Sequence, residues 1–408
     1  MFVQRKFVII LPLLVMSGIP LHSIDFQSTG VYPHPLPDNL FRGINFGNSL
    51  EAPAGEESWG IYINETDFDV VKQAGFDTVR IPVKWSSHSL DSSPFTINET
   101  FALRVDEVIQ QGLQRNLSII INIHHFDVLM VDPILNKDWF ISLWEQISDR
   151  YKDHPSKLFF EVLNEPRGAL LSDDAKWNEI QNAAIAKIRE TNPTRKIIVT
   201  GNFVSSYSTL DDLNLPADDN LIATFHYYNP LDFTHQGATW TPIQYPIGKR
   251  WEGTDAQKNS IVNSFNMVAS WSFETKIPVI MTEFGVIDHA NIDDRARWTA
   301  FVARTAEERN IAWTYWDFKA RFAAFNETTQ TWIPELLEAL IAPYSPPSLT
   351  TIIPSPEESR SYLVDTNTNQ NNSLLSIPIS VFIIPILLII QVRKKQKSNF
   401  IILVNKVF

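Results

Sequence analysis

The 408-residue sequence contains no cysteine. This absence excludes disulfide bonds, thiolate metal sites and a cysteine nucleophile. The fold must therefore be stabilised by a packed core, and the hydrophobic content of 44% is sufficient for one. The sequence also lacks a large basic patch and has a formal net charge of −12, so we expect no nucleic-acid partner. It contains neither a repeat with a solenoid period nor a glycine-rich nucleotide fingerprint.

Long apolar runs lie near both ends of the sequence. The run Phe7 to Met16 follows two basic residues and is typical of a secretory signal peptide at 1–23, with cleavage near Ser23; a retained anchor is the alternative. Residues 374–392 are apolar and precede a basic cluster, which predicts a transmembrane helix and a short cytoplasmic tail at 393–408. A lipid-anchor signal fits less well, because such signals end in their apolar tail. We therefore expect the domain between these runs to lie on the extracellular face of a membrane, or to be secreted if the chain before the transmembrane helix is cut.

The region between these runs divides into a domain at 24–341 and a stalk at 342–373 that is rich in Pro, Ser, Thr and Asn. In the domain, short apolar runs alternate with helix-like stretches such as 67–76, 101–116, 178–191 and 295–310. This alternation predicts an α/β fold, a (β/α)8 or TIM barrel, in one catalytic domain that we expect to be monomeric; an open doubly wound sheet is the alternative. The eight predicted strands are 41–47, 77–83, 117–123, 158–164, 196–201, 221–227, 278–284 and 311–317.

Polar and aromatic residues mark the C-terminal ends of these strands, where the active sites of such barrels lie. Hydrolysis of a glycosidic bond requires one carboxylic acid and a second carboxylate, and Glu165 and Glu283 supply this pair on strands four and seven. A separation of about 5–5.5 Å would favour retention of configuration. The other candidates are Arg80 on strand two, His124 and His125 after strand three, Asn164 on strand four, His226 and Tyr228 at the end of strand six, and Trp316 on strand eight.

These blocks resemble glycoside hydrolase family 5, the cellulase family of the retaining barrel clan. FFEVLNEPRG is similar to the family signature, and PVIMTEFG is similar to its nucleophile strand. The resemblance extends over nearly the whole domain, through FRGINFGNSLEAP, GFDTVRIPVKW, INIHH, ATFHYYNP and WTYWDF. It implies hydrolysis of β-1,4-glucan, with a polysaccharide or oligosaccharide as substrate and with no metal or cofactor.

The resemblance also implies roles for the candidate residues. Glu165 is expected to be the general acid and then the base, with a raised pKa, and Glu283 the nucleophile, kept ionised by Arg80 and Tyr228. Asn164 is expected to bond the sugar 2-hydroxyl. The remaining family residues are expected to contact the sugar or the carboxylates: His124, His226 and, as a stacking platform, Trp316.

Further aromatic residues are candidates for additional sugar subsites. Among Trp59, Trp85, Trp240 and Trp251, we favour Trp59 and Trp240 because they lie in predicted loops; packing in the core is the alternative for each. His125 is another possible subsite residue. Five Asn-x-Ser/Thr sequons begin at Asn64, Asn98, Asn116, Asn326 and Asn371.

Several other functions are compatible with parts of the pattern. Within the family, the alternatives are a β-mannanase, a xyloglucanase, a β-1,3-glucanase or a glycosidase that cleaves glycolipids. A catalytically dead carbohydrate-binding protein is disfavoured because both glutamates are present. A zinc hydrolase using His124, His125, His226 and an acidic residue is conceivable, but the family site requires no metal.

Overall fold

The computed structural model describes residues 40–343. The predicted signal peptide, transmembrane helix and tail lie outside these residues, as does the predicted stalk apart from its first two residues, 342 and 343. In the part of the chain that is described, no helix is both long and apolar enough to cross a bilayer.

Eight parallel strands close into a barrel in the order in which they occur in the chain. The barrel closes where β1 pairs with β8, with Arg42 opposite Trp313. Each strand lies within one of the eight predicted runs, so the predicted (β/α)8 barrel is confirmed. The strands are β1 Arg42–Asn45, β2 Thr78–Ile81, β3 Ser118–Asn122, β4 Leu158–Glu161, β5 Ile197–Thr200, β6 Leu221–Tyr227, β7 Val279–Phe284 and β8 Ala312–Tyr315, and a small hairpin follows, formed by β9 Phe325–Asn326 and β10 Thr331–Trp332.

Helices occupy most of the connections between the strands, including the four stretches predicted to be helical. The exception is the connection from β5 to β6, which contains only a four-residue turn at 202–205, with positive φ at Phe203, Val204 and Ser205, and a 3₁₀ segment at Tyr207–Asp212. The helices are α1 Glu65–Ala74, α2 Glu99–Gln114, α3 Asp127–Val131, α4 Pro133–Arg150, α5 Asp174–Thr191, α6 Asn202–Ser205, α7 Leu231–Thr234, α8 Asp255–Thr275, α9 Ile292–Glu307 and α10 Pro334–Ile341.

Local sequence signals set the ends of several helices. The carboxylate of Asp132 accepts a hydrogen bond from the Leu135 main-chain N–H at 3.0 Å, and Pro133 fills the first turn of α4, where no amide donor is needed. A capping box of Thr254 and Gln257 begins α8. Gly75 ends α1 with a φ of 101°, a conformation that favours glycine.

The barrel interior changes from apolar to polar along the strands. An apolar cluster fills it towards the N-terminal ends of the strands: Leu40, Ile120, Phe159, Ile198, Ile222, Ile280 and Ala312. Two residues further along six of these strands, the buried residue on the same face is polar: Asn122, Glu161, Thr200, Thr224, Thr282 and Thr314. Because strand side chains alternate between faces, this change builds a polar floor beneath the C-terminal mouth.

We predict that Ile120→Ala destabilises the barrel by about 2–5 kcal/mol, because it removes a fully buried side chain and leaves a cavity in the apolar cluster. Ile134→Ala is the matched control, since Ile134 is 76% exposed, and it should change stability by less than about 0.5 kcal/mol. Chemical denaturation measures both free energies of unfolding. Equal effects of the two substitutions would contradict this assignment of the core.

Candidate active site

The C-terminal mouth of the barrel brings together the residues singled out in the sequence. Asn164 and Glu165 lie three and four residues after the end of β4 at Glu161, while His226 and Glu283 lie in β6 and β7. Arg80 reaches the same space from β2. The predicted convergence of strand-end residues is therefore present in the structure.

Arg80 is fully buried and lies at the centre of the site. Its guanidinium donates to both carboxylate oxygens of Glu161, at 2.6 and 2.9 Å. It also donates to Oε1 of Glu283 at 2.8 Å and to Oδ1 of Asn164 at 2.6 Å. Because buried charges are stable only when paired and hydrogen-bonded, this planar fork fixes the carboxylates around it.

The two glutamates lie close together across the mouth. One carboxylate oxygen of Glu165, one of Glu283 and a ring nitrogen of His226 all lie within 4.8 Å of one another. This upper bound agrees with the roughly 5 Å of a retaining pair and is shorter than the roughly 6.5–9.5 Å of an inverting pair.

Arg80 and Tyr228 hold the carboxylate of Glu283. It accepts hydrogen bonds from Arg80 and, at 2.9 Å, from the Tyr228 hydroxyl. Burial and the negative charge of Glu165 raise the pKa of Glu283 above its usual value, although the charges of His226 and Arg80 and the Tyr228 hydroxyl oppose this effect. Burial and the negative charge of Glu283 raise the pKa of Tyr228 well above its usual value, so its hydroxyl remains a donor.

Glu165 differs from the sequence expectation of a raised pKa. Burial raises its pKa, but the hydrogen bond and the charge of His226, together with the charge of Arg167, outweigh burial and lower it. His226 Nδ1 lies 2.9 Å from Oε1 of Glu165, and the two glutamates raise the pKa of His226 against the effect of its burial. Glu165 and His226 therefore form a coupled pair, in which both shifts favour a proton on the histidine, one hydrogen bond away from Glu165.

His124 and Trp316 form an aromatic wall of the site. Their rings are nearly parallel, with centroids 5.6 Å apart and an interplanar angle of 2°. Burial and the charges of His125 and Arg80 lower the pKa of His124 well below its usual value, so the ring is neutral. Its Nδ1 faces the Asn122 amide nitrogen at 3.2 Å, which leaves Nε2 as the donor for a sugar hydroxyl.

The proposed outer subsite residues separate into two groups. Trp59 and Trp240 are 45% and 56% exposed, as expected for residues that contact sugar rings. Trp240 lies 6.4 Å from Phe322, whose ring is 6.0 Å from that of Tyr228. Trp85 and Trp251 are instead fully buried in the core.

His125 is largely buried beside His124. Burial and the charge of Arg167 lower its pKa to about 4, so its ring is neutral at physiological pH.

Of the conceivable zinc ligands His124, His125 and His226, His226 alone belongs to the group of described side chains that lie close enough to share one ion. Within residues 40–343, the His, Asp and Glu side chains close enough to share one ion are Glu165, His226 and Glu283. In this trio the Nδ1 atom of His226 is already hydrogen-bonded to Glu165, and Glu283 is paired with Arg80. These contacts suit proton exchange among the three groups.

The residues that hold Arg80 in place were not among the candidates from the sequence. Glu161 forms the bidentate pair, and Asn45 accepts from Arg80 at 2.8 Å while donating to main-chain oxygens of β7 and β8. Asn122 donates to Glu161 at 3.3 Å. The sequence nevertheless indicates the pair of Arg80 with Glu161. The two residues carry opposite charges inside the apolar runs TVRI and LFFE, and charges buried in this way require partners.

The chain is similar to known cellulases. The profile described as cellulase, glycosyl hydrolase family 5, matches residues 43–321. Endoglucanase H from Acetivibrio thermocellus is 37% identical over 325 residues, which cover 78% of this chain and 34% of that protein. Endoglucanase B from Clostridium cellulovorans is 30% identical, with 73% of each protein covered. The chain thus spans about a third of the length of the first relative and about three quarters of the second.

Solved structures give the same result. The crystal structure of endoglucanase Cel5A from Thermotoga maritima has a TM-score of 0.72 and 43% identity, covering 74% of this chain and 97% of that one. A hyperthermophilic endo-β-1,4-glucanase in complex with substrate has a TM-score of 0.73 and 40% identity, covering 75% and 97%. On the profile match and these relatives, the chain belongs to the cellulase family, glycosyl hydrolase family 5.

Proposed function

We propose that the chain is an endo-β-1,4-glucanase that retains anomeric configuration, with Glu283 as nucleophile and Glu165 as acid and base. The observation that carries this proposal is the pair of carboxylates within 4.8 Å of each other, one of them held by a buried arginine. Membership of the family and the endoglucanase names of its relatives support the same reaction.

In the first step, the Glu283 carboxylate attacks the anomeric carbon while the bond to the leaving oxygen breaks. Glu165 protonates that oxygen, so the departing chain leaves as a neutral alcohol and a glycosyl ester forms on Glu283. Glu165 shares its proton with His226 across the 2.9 Å hydrogen bond, so it is protonated when the proton moves to it from the histidine. A bound glucan excludes water and raises the pKa of the carboxyl group, which favours this transfer.

In the second step, Glu165 acts as the base. It takes a proton from water as the water oxygen attacks the anomeric carbon, and the ester bond to Glu283 breaks. The sugar is released with its original configuration, and the acid is regenerated. The Tyr228 hydroxyl and Arg80 stabilise the departing carboxylate of Glu283 in this step.

The residues around the pair bind the sugar. Arg80 fixes Oδ1 of Asn164 as an acceptor, which orients the amide nitrogen as the donor to the 2-hydroxyl. Trp316 supplies a flat apolar face on which a pyranose ring stacks. Trp59 and Trp240 extend the binding surface beyond this central sugar.

A mannan is the second candidate substrate. The Thermotoga maritima Cel5A structures, 43% identical to this chain, include complexes with mannotriose and with cellobiose. Mannose differs from glucose in the configuration at C2, so the contact of Asn164 with the 2-hydroxyl would change, whereas the two-glutamate chemistry is the same on either polymer.

For localisation, we propose a domain tethered at the outer face of a membrane, on the strength of the apolar runs at 7–16 and 374–392. Protease treatment of intact cells should release active enzyme into the medium by cutting within 342–373. Activity that remains with the cells after the stalk has been cut would contradict the tether.

Glu165→Gln and Glu283→Gln should each lower kcat on the preferred polymer by at least about a hundredfold, since they remove the acid and the nucleophile. Reducing-sugar release from carboxymethyl cellulose, mixed-linkage glucan and glucomannan measures both the loss and the specificity. The exposed Glu338→Gln is the matched control and should retain wild-type activity. Wild-type activity in either site variant would contradict the proposal, whereas preference for glucomannan would change only the substrate.

Tyr228→Phe should lower kcat/KM about 10- to 100-fold, because it removes a hydrogen bond to a charged carboxylate. That bond lowers the pKa of Glu283, so its loss raises the pKa, and the acidic limb of the pH profile of kcat/KM should move to higher pH.

Tyr227→Phe is the matched control, since Tyr227 packs against Phe265 and Trp298 outside the barrel. Its acidic limb should coincide with that of the wild type. The assignment of Glu283 is wrong if Tyr228→Phe and Tyr227→Phe give the same profile.

A further inference from the structure

Glu165 lies in a loop beyond the end of β4, whereas Glu283 lies within the strand β7. Arg80 and Tyr228 hold the carboxylate of Glu283. The carboxylate of Glu165 is hydrogen-bonded to His226, with which it shares its proton. Because no strand ladder fixes this part of the loop, the position of Glu165 depends on the contacts of the main chain on either side of it.

A turn after β5 holds the main chain on both sides of Glu165. The hydroxyl of Ser205 donates to the carbonyl oxygen of Asn164, the residue before Glu165. The main-chain N–H of Val204 donates to the carbonyl oxygen of Pro166, the residue after it, at 2.9 Å. Ser205 and Asn164 are both buried, so water cannot replace the hydroxyl as a donor to this carbonyl.

The same turn is connected to the other member of the proton-sharing pair. Ser206, which follows the turn, forms a parallel bridge with His226 in β6. Asn202, which precedes the turn, donates from its side-chain amide to the main-chain oxygen of Leu170 at 3.2 Å. The turn therefore joins the loop that carries Glu165 to the strand that carries His226.

The backbone of this turn is unfavourable for the residues that form it. Phe203, Val204 and Ser205 have φ values of 57°, 59° and 54°, all in the left-handed region. That region is costly for residues other than glycine, and most of all for a β-branched residue such as Val204. Such a conformation persists only where surrounding contacts enforce it, and it occurs preferentially at functional sites. Here it directs two donors from adjacent residues to the same stretch of main chain.

We propose that Ser205 is a positioning residue for the acid and base. The left-handed turn at 203–205 fixes the main chain at Asn164 and Pro166, so that the carboxylate of Glu165 meets both His226 and the leaving oxygen. This role rests on the proposed function, in which Glu165 is the acid and base. A displacement of about 1 Å at a reacting group can cost about a hundredfold in rate, so a small shift of this main chain is sufficient.

The nature of the leaving group distinguishes this role from a purely structural one. A glucan chain is a poor leaving group without a proton, so the first step on a polymer requires Glu165 as an acid. A dinitrophenolate is stable as an anion and leaves without a proton. Hydrolysis of the ester on Glu283 requires Glu165 as a base with either substrate.

Ser205→Ala should therefore affect the two kinds of substrate differently. For carboxymethyl cellulose, kcat/KM should fall about 10- to 100-fold. For dinitrophenyl β-cellobioside, kcat/KM should stay within about twofold of the wild type, while kcat and KM should both fall about tenfold because the ester is hydrolysed more slowly. Ser208→Ala is the matched control, since Ser208 is an exposed serine in the same connection, and it should follow the wild type on both substrates.

An equal fall of kcat/KM on both substrates, with KM unchanged, would indicate a loss of folded enzyme and would overturn the inference. Wild-type kinetics in Ser205→Ala would also overturn it. If Ser205→Ala does not fold, Ser205→Gly replaces it, since glycine lacks the hydroxyl and adopts the left-handed conformation readily. Failure of both variants to fold would assign the turn to stability alone, against the proposal.

Glu165→Gln separates this inference from the proposed function. It should show the same dependence on the leaving group as Ser205→Ala, and to a greater extent. If Glu165→Gln lacks this dependence, the proposed function fails and the positioning role fails with it. If Glu165→Gln shows the dependence and the Ser205 variants do not, the positioning role alone is wrong.

Discussion

The buried guanidinium of Arg80 is the group on which the arrangement of the site depends. A charge at this depth is tolerated only because Glu161 and Glu283 neutralise it and two asparagine side chains accept its remaining donors. These partners come from or follow β1, β4 and β7, so one side chain sets the relative positions of several strands at the mouth. The same contacts hold Glu283, the proposed nucleophile, and Asn164, the proposed sugar-binding asparagine, so one network would serve both stability and catalysis.

The two catalytic glutamates differ because their neighbours differ. Glu283 has a permanent cation and a phenol as donors, whereas Glu165 has a histidine that can itself hold or release a proton. Interacting groups of this kind titrate together, so the proton belongs to the Glu165–His226 pair and moves when a substrate changes the surroundings.

Much of this architecture could be predicted from the sequence. Eight apolar runs with polar ends identify the barrel and its mouth, and Glu165 and Glu283 follow from the requirement for two carboxylates. The absence of a long helix between β5 and β6 could not be predicted, because the polar stretch 201–220 has no clear hydrophobic period. The lowered pKa of Glu165 depends on a hydrogen bond to His226, 61 residues away, and is a three-dimensional property. Glu161 could have been paired with Arg80, since both interrupt apolar strands.

The most direct test of the mechanism is to trap the covalent intermediate. A cello-oligosaccharide with fluorine in place of the 2-hydroxyl and a good leaving group should react with the enzyme faster than the resulting ester is hydrolysed. Mass spectrometry of the digested protein should then find the sugar on the peptide that contains Glu283. A sugar attached to any other residue, or a first product with inverted configuration, would contradict the double displacement.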